Sequence, residues 1–329
     1  MKIRVLGGGW YGCHVATALL AAGHDVELHE IADRLFAGAS GANPARLHLG
    51  FHYPRSRLTR AACQEHHAGF MARYGRLTRA VPVNLYAVAA RDSMVDFGTY
   101  CQVLRGEVEF VTVEPAEFGL TDVEGAVLTG ERHIVVDDAR TWFETALAGR
   151  VRLATPPGDL DDPLWDWTID CTFCANGAAG VDRYEPCLTV LLEGPADRAV
   201  TVMDGPFPSI YPWDEAHGLS SLTSASLTPW SKTCRSWAEA KALLDGLTAA
   251  DVAKRAHDML RQAAGFWPAA ADLYRIADHR LAIRAMPKSG ADARLVDVAR
   301  AGLRTVRIRA GKIDAILHAG ELVAEAIGT

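Results

Sequence analysis

The chain has no hydrophobic run long enough to cross a bilayer. The apolar stretch nearest its start, Val15 to Ala22, falls far short of the roughly 20 residues that a spanning helix needs. A secretory leader is not expected, because Gly7 to Gly9 interrupt any apolar segment almost at once. An excess of positive charge is missing too. The net charge of -6 speaks against a nucleic-acid partner, since neutralising phosphates takes clustered lysine and arginine. The seven cysteines are odd in number and scattered, which fits reduced thiols in the cytoplasm better than a disulfide framework. Internal repeats and low-complexity tracts are also lacking. What remains is an ordinary globular composition, 49% hydrophobic and 22% charged over 329 residues, sufficient for one large domain or two interleaved ones.

The strongest signal is at the start. Ile3 to Leu6 reads as a short buried strand that runs into Gly7-Gly8-Gly9-Trp10-Tyr11-Gly12, a G-x-G-x-x-G. Residues 13 to 22 read as a helix stopped by Gly23, and His24 to Glu30 alternates like a second strand ending on an acid. Strand, glycines, helix, strand and acid in this order make a dinucleotide-binding fingerprint. Gly7 permits the tight turn, Gly9 lets the backbone approach a pyrophosphate, and Gly12 lets the helix pack closely on the strand. The helix N-terminus offers unpaired amides and partial positive charge to phosphates. Glu30 would accept hydrogen bonds from ribose hydroxyls and would repel a 2′-phosphate, which disfavours NADP.

NAD and FAD share that fingerprint, and the next stretch separates them. Ala37 to Pro44 is rich in small residues, and Ala45-Arg46-Leu47-His48-Leu49-Gly50-Phe51-His52-Tyr53-Pro54-Arg55-Ser56 is too polar and loop-like for routine packing. With the Gly7-Gly9-Gly12 and Glu30 pattern, the Ala39-Ser40-Gly41-Ala42-Asn43 stretch resembles the D-amino-acid oxidase/glycine oxidase family of flavoproteins. A Gly311-Lys312-Ile313-Asp314 turn before a terminal helix from about His318 to Ile327 matches that family in part. The resemblance implies an FAD cofactor, with Ser40, Asn43, Arg46 and His48 near the flavin. It also implies a terminal helix whose N-terminus faces the ring. The expected cofactor set is Gly7, Gly9, Trp10, Tyr11, Gly12, Glu30, Ser40, Asn43, Arg46, Leu47, Thr172, Gly311, Lys312 and Ile313. UDP-galactopyranose mutase is similar in the histidine-bearing loop, so a flavin-dependent isomerase stays open, as does an NAD-dependent dehydrogenase.

Further along, helices are expected over 57–79, 93–104, 140–147 and 238–265. Strands are expected over 85–90, 108–113, 133–138, 165–172, 188–192, 199–203, 206–213, 219–226, 294–298 and 303–309. The expected fold is α/β: a discontinuous Rossmann-type FAD-binding domain (1–79, 130–180 and 278–329) with an inserted α+β substrate domain (80–129 and 181–277). The insert is built on a mostly antiparallel sheet. Cys171 and Cys174 form a C-x-x-C, but neither a second ligand pair nor a helix N-terminus accompanies it, so buried strand-end thiols are expected.

The chemistry expected is oxidation of a C–N bond, in an amine or amino-acid-like small polar substrate, by hydride transfer to flavin N5. That reaction needs no strong general base. It does call for a guanidinium fork if the substrate is a carboxylate. Arg46 and Arg284 are the first candidates, with Arg55 behind them and Tyr211 and Tyr53 as hydroxyl partners. Arg46, His48, Tyr211 and Arg284 form the expected catalytic set. His48 and His52 are four residues apart, but Gly50 and Pro54 oppose a helix, so no metal site is expected. His48 could instead carry flavin covalently or touch it noncovalently. Oligomeric state and electron acceptor are left open.

Overall fold

A computed structural model describes residues 1–177, 180–287 and 295–329. Two large sheets organise them. The first has six strands in the order Asp297–Arg300, Thr305–Arg309, Trp167–Asp170, Lys2–Leu6, Asp25–His29 and Val151–Arg152. All pair in parallel except Asp297–Arg300, which is antiparallel to its neighbour. Parallel strands are buried on both faces and so read as apolar runs. Ile3, Val5, Val26, Leu28, Ile169, Val306 and Ile308 accordingly share one core with helices Trp10–Ala21 and Ile316–Ile327.

The second sheet has eight strands: Arg275–Pro287, Val181–Glu193, Leu219–Ser224, Pro208–Asp214, Arg198–Met203, Val83–Ala89, Val123–Thr129 and Phe110–Val113. Only Arg198–Met203 and Val83–Ala89 run parallel; the other pairs are antiparallel. Alternation along each strand gives the sheet two unlike faces. Leu85, Leu188, Val190, Val200, Ile210 and Leu222 make one face and pack under Val252, Ala256, Met259 and Ala263 of helix Ala249–Phe266. The opposite face carries Asn84, Tyr86, Thr189, Thr201, Ser209, Tyr211 and Ser221, all buried. A small third sheet joins Arg46–Leu47, Arg132–Ile134 and Thr78–Ala80, and it delivers Arg46 to that polar face.

Several element expectations need correction. The helix expected over 238–265 is two helices, Trp237–Asp245 and Ala249–Phe266, because Thr248 starts the second with a capping box to Asp251. The helix expected from 57 ends at Tyr74 and gives way to the strand Thr78–Ala80. Strand character near His133 stops at Ile134. Helix Val136–Ala146 then begins, with Asp137 and Asp138 in its first turn, where negative charge is favoured. The boundary expected at 278 falls inside Arg275–Pro287, which pairs with Val181–Glu193 along its length. Arg294 lies outside the described residues, and the strand expected there is found over Asp297–Arg300. No described helix is long and apolar enough to cross a membrane.

Candidate active site

The nucleotide end is built from backbone. Gly7 has φ +97°, and a Cβ there would come within 2.8 Å of the Cys171 carbonyl oxygen. A Cβ on Gly12 would land on the Gly7 carbonyl oxygen, and one on Gly9 would sit 2.5 Å from Ser40 Oγ. The first amides of helix Trp10–Ala21 have no acceptor within the helix. One of them, Trp10 N, donates to Ser40 Oγ at 3.0 Å. Glu30 is held at the mouth of the turn, its Oε2 accepting from Gly8 N at 2.5 Å and its Oε1 from Ala32 N at 2.9 Å. A glycine cradle that any side chain would fill, facing a helix N-terminus and a fixed carboxylate, fits a pyrophosphate and ribose.

Other residues expected around the cofactor also make local contacts. The Trp10 ring is 1% exposed and packs with Phe36, Phe70, Tyr74 and Phe143, and the Leu47 side chain lies in the same core. Only their backbones remain for a ligand. Asn43 spends its amide within the loop, donating to the Ala39 carbonyl at 2.9 Å and accepting from Ala45 N at 2.7 Å. Thr172 donates to Asp170 Oδ1 at 2.6 Å, and Arg307 Nε donates to the other oxygen at 2.8 Å. The Tyr11 hydroxyl donates to the Lys312 carbonyl at 2.6 Å and accepts from Gly311 N at 3.0 Å. It thereby ties the glycine helix to the C-terminal turn, whose Ile313 packs on the same core.

The second half of the site lies on the polar sheet face. Arg46 is 8% exposed; its Nη1 donates to the Tyr86 hydroxyl at 2.7 Å and its Nη2 to Ser209 Oγ at 2.8 Å. The guanidinium also sits 4.1 Å from the centre of the Tyr211 ring. Its hydrogen-bond partners among the described residues are thus neutral hydroxyls. Tyr86 donates its own proton to Glu131 Oε2 in a 2.5 Å hydrogen bond, while Glu131 Oε1 accepts from Leu49 N at 2.7 Å. Asn84 donates to the Glu131 carbonyl at 3.0 Å and to the Tyr211 hydroxyl at 3.4 Å. His48 stands between Glu131 and Lys312, Nδ1 at 3.5 Å from Glu131 Oε1 and Nε2 at 3.4 Å from Lys312 Nζ. Burial, then the nearby Lys312 and Arg46, hold His48 well below the usual histidine range, so it is neutral. His52 is neutral for the same reasons, burial first and then Arg46.

Arg46, His48, Tyr211 and Lys312 are therefore brought together. Arg284 is not joined to them by any described hydrogen bond or ion pair. It lies beside Glu185, with its Nη2 donating to Oε2 at 2.5 Å, and Arg183 shares the same carboxylate at 2.8 Å. Arg55 pairs with Asp204 at 2.5 Å. Tyr53 packs its ring on His48, His52 and Lys312 Nζ. Burial pushes the thiols of Cys171 and Cys174 up, Cys174 to about 11, so neither is a ready thiolate. Among the described residues no histidine, cysteine and carboxylate cluster could hold a metal. Sequence reasoning missed Glu131, Tyr86 and Ser209. Alternation along Val83–Ala89 could have placed Asn84 and Tyr86 on one sheet surface by their partners, but nothing local marks Glu131, which follows Gly130 in a turn between strands.

A glycine cradle at the end of a parallel strand, together with a buried polar sheet face, is the arrangement of a dinucleotide-dependent enzyme. Residues 2–180 match the family described as FAD dependent oxidoreductase. The chain is 35% identical to the FAD-dependent monooxygenase FPY4 of Fusarium mangiferae, over 98% of this chain and 90% of that protein. It is 26% identical to the FAD-dependent monooxygenase kojA of Aspergillus flavus, over 98% and 85%. Glycine oxidase from Geobacillus kaustophilus has the same fold, with a TM-score of 0.74 at 16% identity over 99% of this chain and 94% of that one. The chain belongs to the FAD dependent oxidoreductase family, and FAD is its cofactor. The mutase-like and NAD-dependent readings are left without support.

Proposed function

We propose that the protein oxidises the C–N bond of a small amine or amino-acid-like substrate, with Arg46 as the anchor for a substrate carboxylate. The observation that carries this reading is a buried guanidinium whose described hydrogen-bond partners are neutral hydroxyls. Such a cation is stabilised by an anion that docks on its remaining N–H groups. Arg284 is the weaker candidate, since Glu185 already occupies it. FAD, when bound, supplies the two-electron acceptor for a hydride from the substrate carbon. Tyr86, Ser209 and Glu131 hold the Arg46 fork in place, and neutral His48 offers a noncovalent contact at the mouth of the 46–53 loop. In this reading the eight-stranded sheet, with its boundary moved from 278 to 288, is the substrate domain.

The test is anaerobic mixing of the yellow protein with a panel of amines and amino acids. Bleaching of the flavin by one of them, with Arg46→Met losing the response, is the expected result. A second reading, monooxygenation, is favoured by the 35% identity to a protein of that name. It predicts that the flavin stays oxidised with substrate alone, and that NADH or NADPH must reduce it before oxygen enters the product. Acid precipitation that leaves all flavin in the supernatant is expected if the His48 contact is noncovalent.

A further inference from the structure

One carboxylate beside the site is left unsatisfied. Asp314 is 2% exposed, yet neither of its side-chain oxygens makes a well-formed hydrogen bond with a described residue. A carboxylate ionised in that position is costly unless it meets water, and taking up a proton removes that cost. It lines a narrow crevice together with Lys312 from its own turn and with Thr59, Cys63 and His66 from helix Arg57–Tyr74. The crevice passes Leu295, which is 46% exposed, and so reaches solvent. At its inner end Lys312 Nζ lies 3.4 Å from His48 Nε2 and 4.2 Å from the centre of the Tyr53 ring, inside the site.

We propose that Lys312 and Asp314 form a proton relay that connects the active site to solvent through this crevice, with water as the carrier. The inference rests on the C–N oxidation reading. A substrate ammonium whose carbon bears a hydrogen becomes an iminium by losing one hydride, to the flavin acceptor, and one proton from nitrogen. The C–H bond and one N–H bond break, and the electron pair of the N–H bond becomes the second carbon–nitrogen bond. The proton passes to the neutral Lys312 amine, making an ammonium. The ammonium passes it through crevice water to the Asp314 carboxylate, making a carboxylic acid, which releases it to water beside His66. Each transfer moves one proton and restores its donor.

The electrostatics suit a group that must both take and give a proton. Burial raises the Asp314 carboxyl and Lys312 partly opposes it; burial lowers the Lys312 ammonium and Asp314 partly opposes it. Of the other groups at the crevice, the Cys63 thiol leans toward the Asp314 carboxyl and partly opposes its rise. Burial pushes the Cys63 thiol up, so it stays protonated. His66 is lowered by burial and then by His318, and so it is neutral at physiological pH. Arg46 adds positive charge on the inner side.

The deciding measurement is infrared titration of the FAD-loaded protein without substrate. A protonated-carboxyl C=O band that titrates in the wild type and is missing in Asp314→Asn is expected; the same spectrum in both would overturn the proposal. Lys312→Met covers the case in which Asp314→Asn does not fold. Without the lysine charge the band should persist to higher pH, and an unchanged titration would overturn the relay. Stopped-flow reduction by substrate then follows, with Asp314→Asn expected to be about 10- to 100-fold slower and to lose the wild-type pH dependence. A wild-type pH profile in that variant would refute the relay. If no substrate bleaches the flavin, the oxidation reading fails, while the infrared result still reports on the Asp314 proton.

Discussion

The two ends of the site are made of different materials. At the nucleotide end the chemistry is carried by main-chain amides and by the absence of side chains at Gly7, Gly9 and Gly12. At the polar sheet face it is carried by side chains that approach from distant parts of the chain: Arg46, Tyr86, Glu131, Ser209 and Tyr211. The first end tolerates no added atoms and is specified within one local stretch. The second tolerates exchange of any one side chain at a cost set by what that side chain leaves unpaired.

The largest effect should come from breaking the backbone end. Gly12→Val puts a side chain where even a Cβ would land on the Gly7 carbonyl oxygen. Helix Trp10–Ala21 must then move off the strand Lys2–Leu6, and protein purified from this variant should carry no flavin, read from its visible spectrum. Retention of stoichiometric FAD would show that the cradle is not the cofactor site.

Next is the side-chain end. Arg46→Met keeps the length and apolar body of the residue but removes the charge and both hydrogen bonds. The variant should still be yellow, because Arg46 packs against the polar sheet face and the glycine cradle is untouched. Its kcat/KM should fall by about 100- to 1000-fold, the scale of losing a buried charged hydrogen-bonding group. Loss of flavin along with activity would merge the two ends into one and sink the distinction between them.

The same contrast separates what is legible in the sequence from what is not. The glycine turn, Glu30 and the parallel strands follow from local spacing, since sterics and helix geometry act over a few residues. The polar face does not, because its members lie far apart in sequence: 46 meets 209, and 86 meets 131. Alternation in Val83–Ala89 and Pro208–Asp214 says that each strand has two unlike faces. It does not say which faces meet. Arg284 shows the converse case, for its place in the chain points to a substrate anchor, while the structure gives it Glu185 as a partner across the ladder. A pairing partner one strand away is invisible to a reading that follows the chain. The break at Gly246-Leu247-Thr248 is legible in principle, as a Thr with Asp three residues later, but helix-forming residues on both sides conceal it.

The smallest expected effect tests the seam between the two ends. Thr189, on the polar sheet face and 5% exposed, donates its hydroxyl to the Ala42 carbonyl at 2.6 Å. Ala42 closes the short turn that carries Ser40, whose oxygen accepts from the first amide of the glycine helix. One hydrogen bond thus links the sheet whose polar face meets Arg46 to the loop that faces the nucleotide. Thr189→Val keeps the shape of the side chain and leaves a buried carbonyl without its donor, a loss of about 1 kcal/mol. If the loop relaxes, FAD affinity should drop by about five-fold, measured by titrating apoprotein with FAD. Substrate KM at saturating FAD should stay within about two-fold of wild type, because Arg46 and its partners do not contact Thr189 directly. A KM that moved while FAD affinity held would mean that Thr189 serves the substrate end rather than the seam.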